Sequence, residues 1–311
     1  MGAVEISGTV KAWGEECFAD CENLAAFGMA DTTRNNTEVI EDRAFAGCKK
    51  LSAFLTSKFT HLTSIGAYAF MDCDTLSAPS IPANVRTLGE GCFMNCDNIK
   101  YVSFYGSVEE YPKDCFKSCP KLIKTGGTAA AFAGLKRIGE GAYEGCISLN
   151  SSRDKSVNWG LDKYTNLESI GKNAFRGCQT LPYADLSATV AKVGEGAFEG
   201  CSSLERLHFA GQMPPSIGSF SLNGLPDDFR ILVPDSQEDG DSVYLAYQTV
   251  LNDVLDPLEV RRVLDSESDG AKERQNAKQN TERADTETEA GNGKEEAYLP
   301  ETDTGERGEM R

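Results

Sequence analysis

Ile65-Gly66-Ala67-Tyr68-Ala69-Phe70-Met71-Asp72-Cys73-Asp74-Thr75-Leu76 decides the architecture of this chain, because the same phrase returns along most of its length. A large apolar residue precedes Gly, a small residue precedes an aromatic, Cys follows three further on, and Leu three beyond that. Val193-Gly194-Glu195-Gly196-Ala197-Phe198-Glu199-Gly200-Cys201-Ser202-Ser203-Leu204 is a second clear copy. The aromatic falls at Phe18, Phe45, Phe70, Phe93, Phe116, Tyr143, Phe175 and Phe198, and Leu222 holds its place in a ninth, altered unit. Phe70, Phe93 and Phe116 are 23 residues apart, as are Phe175 and Phe198, whereas 27 and 32 residues separate Phe116, Tyr143 and Phe175. A fixed period with occasional insertions is the signature of a solenoid whose extra residues loop out of the stack.

Each unit divides into parts. Leu204-Glu205-Arg206-Leu207-His208-Phe209 alternates with period two, which predicts a short strand with Leu207 and Phe209 inward and Arg206 and His208 outward. A Pro or polar turn follows, as at Ile81-Pro82, then a second short apolar piece such as Val85 to Leu88 ending in Gly89. Gly there suits a positive φ or a close backbone approach. The apolar residues of Ala-Phe-x-x-Cys-x-x-Leu lie three apart, the spacing of a tight helical turn. The pattern is poor after Phe45, Phe116 and Tyr143, as in Ile123-Lys124-Thr125-Gly126-Gly127, so the strand ladder is expected to be irregular in its middle.

These motifs resemble the BspA-like subfamily of leucine-rich repeats, whose unit runs Leu-x-x-Ile-x-Ile-Pro, a spacer, then Ile-Gly-x-x-Ala-Phe-x-x-Cys. The resemblance covers residues 6 to 235 and includes a closing coil, Pro214-Pro215-Ser216-Ile217-Gly218 followed by Phe229 to Pro234. It implies a right-handed coil used for binding, often in adhesion at bacterial surfaces, and no catalytic activity. The expected fold is a β-rich α/β solenoid with a parallel strand ladder and short helical turns, nine coils and roughly 43 Å long at the spacing of paired strands.

Residues 1–235 form the expected solenoid, 236–264 a helical C-terminal cap, and 265–311 an acidic tail or linker without fold. In the cap, Tyr244, Leu245, Tyr247, Val250, Leu251, Val254 and Leu255 make an apolar stripe. Asp256-Pro257-Leu258-Glu259 then reads as N-cap, first-turn Pro and capping Glu of a second helix. From Asp265 onward there are 14 acids against 7 bases and almost no apolar residue, so burial there does not offset ordering entropy. Leu299-Pro300-Glu301-Thr302 matches the start of a sortase signal, but Asp303 stands where Gly belongs, and the match reads as chance in an acidic tail.

Composition excludes several classes of partner. A net charge of −17 repels nucleic acid and anionic lipid. No apolar run approaches the ~20 residues of a membrane helix, and Met1 to Glu5 lacks the basic-then-apolar pattern of an export signal. The expected place is nonetheless extracellular or on a cell surface, the alternative being cytoplasmic, and the chain is expected to be a monomer.

Eight of the 11 Cys occupy one repeat position each and are expected to line a buried, reduced ladder as small apolar residues. Cys92, Cys96, Cys115 and Cys119 lie on neighbouring coils and invite a zinc reading, but Cys92 and Cys115 take the small-residue position and packing is the expected role. Gly139-Glu140-Gly141 and Gly194-Glu195-Gly196 recur with the corner rather than forming a dinucleotide loop. His61 and His208 have no Cys or acid at a spacing that makes a nucleophile pair or metal cluster. No enzyme and no cofactor is therefore expected. The candidate site is the outward register of the strand face, Tyr101, Ser103, Tyr105, Tyr183, Asp185, Arg206 and His208, together with Trp159 in the longest insertion. Its expected ligand is a protein or glycan, since aromatic and Arg side chains dominate binding hot spots.

Overall fold

The computed structural model describes residues 2–6, 9–29, 36–54, 59–151, 160–220, 222, 224–235 and 242–266. Trp159, residues 267–311 and the Leu299 to Thr302 motif lie outside them. Successive coils add parallel strands on two sides. Along one side run Ala12–Trp13, Val39–Ile40, Ser64–Ile65 and Thr87–Leu88, then Glu110–Tyr111, Arg137–Ile138, Ser169–Ile170, Lys192–Val193 and Ser216–Ile217. Among the described residues the other side carries the longer strands in three sheets: Ala3–Ile6 with Ala26–Met29 and Ala53–Phe54; Ser80–Ile81 with Tyr101–Phe104 and Lys124–Gly127; and Tyr183–Leu186 with Arg206–Phe209, Arg230–Val233 and Leu264–Ser266.

The coil after Phe116, expected to be irregular, is regular, while the strand position after Tyr143 lies largely outside the described residues. Lys124–Gly127 pairs over all four residues with Tyr101–Phe104 despite its two glycines. In a stack the preceding strand supplies a template, so main-chain pairing outweighs weak strand propensity. A six-residue helix, Ala129–Gly134, follows at once, capped by the Thr128 side chain on the Ala131 amide.

The core is built on two ladders. Phe45, Phe70 and Phe93 stack at centroid spacings of 5.4 and 5.5 Å with planes within 6° of parallel. The rings of Phe18 and Phe116 extend the column on either side, and Tyr143, Phe175 and Phe198 complete it. Beside them each buried Cys of the ladder position points its thiol at the carbonyl of the aromatic one coil earlier, among them Cys73 to Phe45 at 3.3 Å, Cys96 to Phe70, Cys119 to Phe93, and Cys201 to Phe175, the last three at 3.1 Å. The thiol is thus a donor as well as a small apolar filler, which Ala at that position would not be. Burial pushes the Cys48 and Cys201 thiols up to about 12 and holds them protonated.

The helical stretch is a run of tight turns rather than a helix. Amides within it bond three residues back, as Ala46 to Arg43 and Cys48 to Phe45. The intervening amides reach into the next coil, Phe45 to the Ala69 carbonyl at 2.8 Å and Gly47 to Met71 at 2.8 Å. The alternation places a left-handed residue two before each anchor and another two after it, as at Tyr68 (φ 54°) and Asp72 (φ 57°) around Phe70. The corner glycines, by contrast, serve close approach. A Cβ on Gly171 would sit 2.5 Å from the Glu140 amide of the coil before it, and one on Gly218 2.5 Å from that of Glu195. Of the two reasons for Gly at this corner, only the second operates.

Nine of the 11 Cys are buried, while Cys17 and Cys21 are exposed and all are unbridged. Cys21 departs from the expected buried ladder. It belongs to the first aromatic turn, where Phe18 is itself only half-buried. Alkylation of the native protein is therefore expected to modify Cys17 and Cys21 quickly and the other nine only on unfolding. Native labelling of Cys96 or Cys146 at the rate of Cys21 would contradict the stack.

At the C-terminal end, helices Ser242–Asn252 and Pro257–Val263 pack on the last sheet through Val243, Tyr247, Leu251, Val260 and Val263. Asp256 caps the second helix by accepting from the Leu258 amide at 2.8 Å. Tyr247 lies 5.4 Å from Phe209 and donates its hydroxyl to the Gly211 carbonyl at 2.8 Å. The chain then pairs Leu264, Asp265 and Ser266 in parallel with Ile231, Leu232 and Val233. Strand structure thus runs two residues into the stretch the sequence assigns to the tail.

Candidate functional site

Register on the longer-strand side turns alternate residues out of the core. In Tyr101–Phe104, Val102 and Phe104 are buried while Tyr101 is 37 % exposed, and Tyr105 just beyond the strand is 55 % exposed. Because the next strand is in register, Lys124 lies beside Tyr101 and Gly126 beside Ser103. The Lys124 ammonium stands 5.8 Å from the Tyr101 ring centroid. Ser103 and Gly126, both small, leave a depression of ≈ 340 Å³ that is also lined by Phe132 and Lys163. Phe132 comes from the helix after the strand and is held edge-on against Tyr164 at 5.3 Å. A Cβ on Gly126 would come within 3.1 Å of Phe132, so that glycine leaves room for the ring.

Beneath this depression lies a buried polar cluster. Thr125, an inward residue of the second strand, shares hydrogen bonds with the Tyr143 hydroxyl at 2.6 Å and the Tyr164 hydroxyl at 3.3 Å. This gives a reason for Tyr rather than Phe at one position of the aromatic ladder, since a buried Thr hydroxyl requires a partner. Burial pushes the Tyr143 and Tyr111 phenols well above their usual range, so the cluster is neutral. Tyr143→Phe is expected to cost about 1–3 kcal/mol in chemical denaturation, and Thr125→Val to cost less on that background than alone, because the 2.6 Å bond between the two is then already gone. Additive losses would mean that the two residues are not coupled.

Tyr183, Asp185, Arg206 and His208 form a second cluster on the sheet nearer the C-terminal end. Arg206 donates to both oxygens of Asp185, at 3.0 and 2.7 Å, and its guanidinium lies 5.2 Å from the Tyr183 ring. His208 Nδ1 is 3.7 Å from the same carboxylate. Burial works to raise the Asp185 carboxyl, but the hydrogen bonds from His208 and Arg206 and their charge outweigh it, and its pKa is lowered. The Arg206 fork is thus committed within the face. The candidate residues therefore occupy two different sheets, and Trp159 lies outside the described residues.

Lys124, Phe132 and Lys163 were not among the sequence candidates. Lys124 was legible by register, two positions before Gly126 on an alternating strand, but the glycines concealed the strand. Phe132 had no such signal, since a short helix after the strand brings it over the face.

For chemistry the described residues offer little. The Cys92 and Cys115 sulfurs are 3.5 Å apart, Cys96 and Cys119 are engaged with carbonyls, and among the described residues no cluster of three or more His, Cys, Asp or Glu is arranged to hold a metal. Among the described residues no helix is long and apolar enough to cross a membrane.

Coils stacked on a ring ladder and a thiol ladder, with an open strand face, define a repeat solenoid of the leucine-rich class. The family model described as BspA type leucine rich repeat region (6 copies) matches residues 11–150 and 128–224. The chain belongs to this family. Such proteins are typically non-catalytic, generally serve as protein-interaction or surface-scaffold modules, and are typically found on bacterial surfaces. Similar solved structures include a leucine rich repeat protein of T. pallidum, 24% identical over 50% of this chain and 68% of that one, with a TM-score of 0.40. A leucine-rich repeat protein from Bacteroides ovatus is 20% identical over 85% and 83%, TM-score 0.35. A leucine rich cell surface protein from Faecalibacterium prausnitzii is 17% identical over 79% and 82%, TM-score 0.36. No curated protein matches the chain.

Proposed function

We propose that this chain is a non-enzymatic binding module that recognises a protein or glycan at a cell surface, through the longer-strand face around Tyr101, Ser103 and Tyr105. The observation that carries the reading is two exposed tyrosines, Tyr101 on the strand and Tyr105 just beyond it, with a depression beside Tyr101. Exposed aromatics of this kind contribute large contact area at little rotamer cost and recur at binding hot spots. The Tyr183, Asp185, Arg206 and His208 cluster lies on a separate sheet, and its charges satisfy one another.

Binding to arrayed extracellular-matrix proteins and glycans tests the reading. Tyr101→Ala with Tyr105→Ala is expected to weaken capture of a ligand found this way by tenfold or more, with the melting transition unchanged. Surface changes typically alter stability by about 0.5 kcal/mol or less. A ligand whose affinity ignored both changes would move the site off this strand face, and failure of the chain to capture any ligand would favour a structural spacer.

A further inference from the structure

We propose that the depression over Tyr101–Phe104 and Lys124–Gly127 seats a single pyranose that carries a carboxylate. This rests on the reading of the strand face as a binding surface and names the ligand chemistry for it. Two features of the lining support it: Lys124 and Lys163 both border the depression, and no Asp or Glu among the described residues does. In a chain of 48 acids against 31 bases that local balance is reversed, so an anion meets attraction here that most of the surface denies it.

Shape argues for a sugar ring. The floor is Ser103 and Gly126, side by side in register, which leaves a shallow space of ≈ 340 Å³ rather than an extended groove. The Tyr101 and Phe132 rings border it, and aromatic faces accept the apolar side of a pyranose, while the Ser103 hydroxyl is a donor and acceptor for sugar hydroxyls. The Lys124 ammonium beside Tyr101 puts a cation within reach of a ring resting there. An acidic peptide would satisfy the lysines too, and Lys124–Gly127 is the last described strand of its sheet, but the depression lies on the face of that strand and is too compact for the several residues a peptide lays along a groove.

Two sources share this chemistry, a terminal sialic-acid-type sugar and a uronic acid of a polysaccharide. The test titrates the whole chain with N-acetylneuraminic acid and with glucuronic acid, using glucose and galactose as neutral controls and a short oligoglutamate as the peptide control. Saturable binding of at least one acidic sugar and none of the neutral sugars is expected, with a tenfold or greater loss in Lys124→Gln and again in Lys163→Gln. Ser103→Leu, which fills the floor without touching charge, is expected to abolish binding, and thermal melting checks that each variant folds. Which acidic sugar binds identifies the source. Equal binding of neutral sugars, indifference to the lysine changes, binding of oligoglutamate in place of sugars, or no acidic sugar bound would each overturn the proposal. A ligand that needs Tyr101 and Tyr105 while neither acidic sugar binds would overturn this proposal alone and leave the strand-face reading standing.

Discussion

Phe175→Ala is expected to lower the stability of the protein by about 3–5 kcal/mol, the range for deleting a fully buried aromatic. Phe175 is wholly inside the stack, 5.2 Å from Tyr143 and 5.3 Å from Phe198, with planes within 8° of parallel to both. Its removal takes away burial and two ring contacts, each worth about 0.5–1.5 kcal/mol beyond area. The anchor at the start of the column supplies the control. Phe18 is only half-buried, so Phe18→Ala is expected to cost clearly less. Urea denaturation of the two variants separates these cases through the midpoint at constant slope. Equal losses would mean that the rings do not act as a column.

What the sequence made legible follows from what recurs. A residue that appears once per coil must occupy one place in the stack, so the Phe and Cys ladders and the inward strand positions can be derived from spacing alone. Features that occur once cannot be derived this way. The bond between Thr125 and Tyr143 spans 18 residues and belongs to one place in the array, although the lone Tyr among the Phe anchors was its trace. Cys21 obeys the repeat yet is exposed, because the period describes an interior coil and the first turn has a different environment. The corner glycines show a third limit: spacing located the corner, but only the neighbouring backbone decides between left-handed φ and close approach. The candidate site was half legible for the same reason. Outward positions follow from alternation, whereas Lys124 lies on a strand that its neighbour imposes, and Phe132 arrives from a helix outside the repeat.

Ending the chain at Pro234 is expected to have an effect at least as large, because it removes the segment that covers the last sheet. Val243, Tyr247, Leu251, Leu255, Val260, Val263 and Leu264 are all buried there. At about 1.5–3 kcal/mol for each large apolar side chain, three of them already approach the net stability of a typical domain, about 5–15 kcal/mol, before the ordering entropy of the segment offsets part of the gain. The truncation also uncovers the Phe209 ring beside Tyr247 and leaves Arg230–Val233 as an unpaired edge, since Leu264–Ser266 no longer lies against it. An unpaired edge that carries Ile231 and Val233 is a template for another chain, so aggregation is expected with the fall in melting temperature. Ending the chain at Glu267 keeps the two helices and the final strand and removes a stretch with almost no apolar side chains, so its melting transition is expected to match that of the whole chain. Calorimetry with light scattering on the two truncations compares them directly. If both lose stability equally, residues 268–311 hold the fold together; if neither does, the helices and final strand are not needed to close the stack.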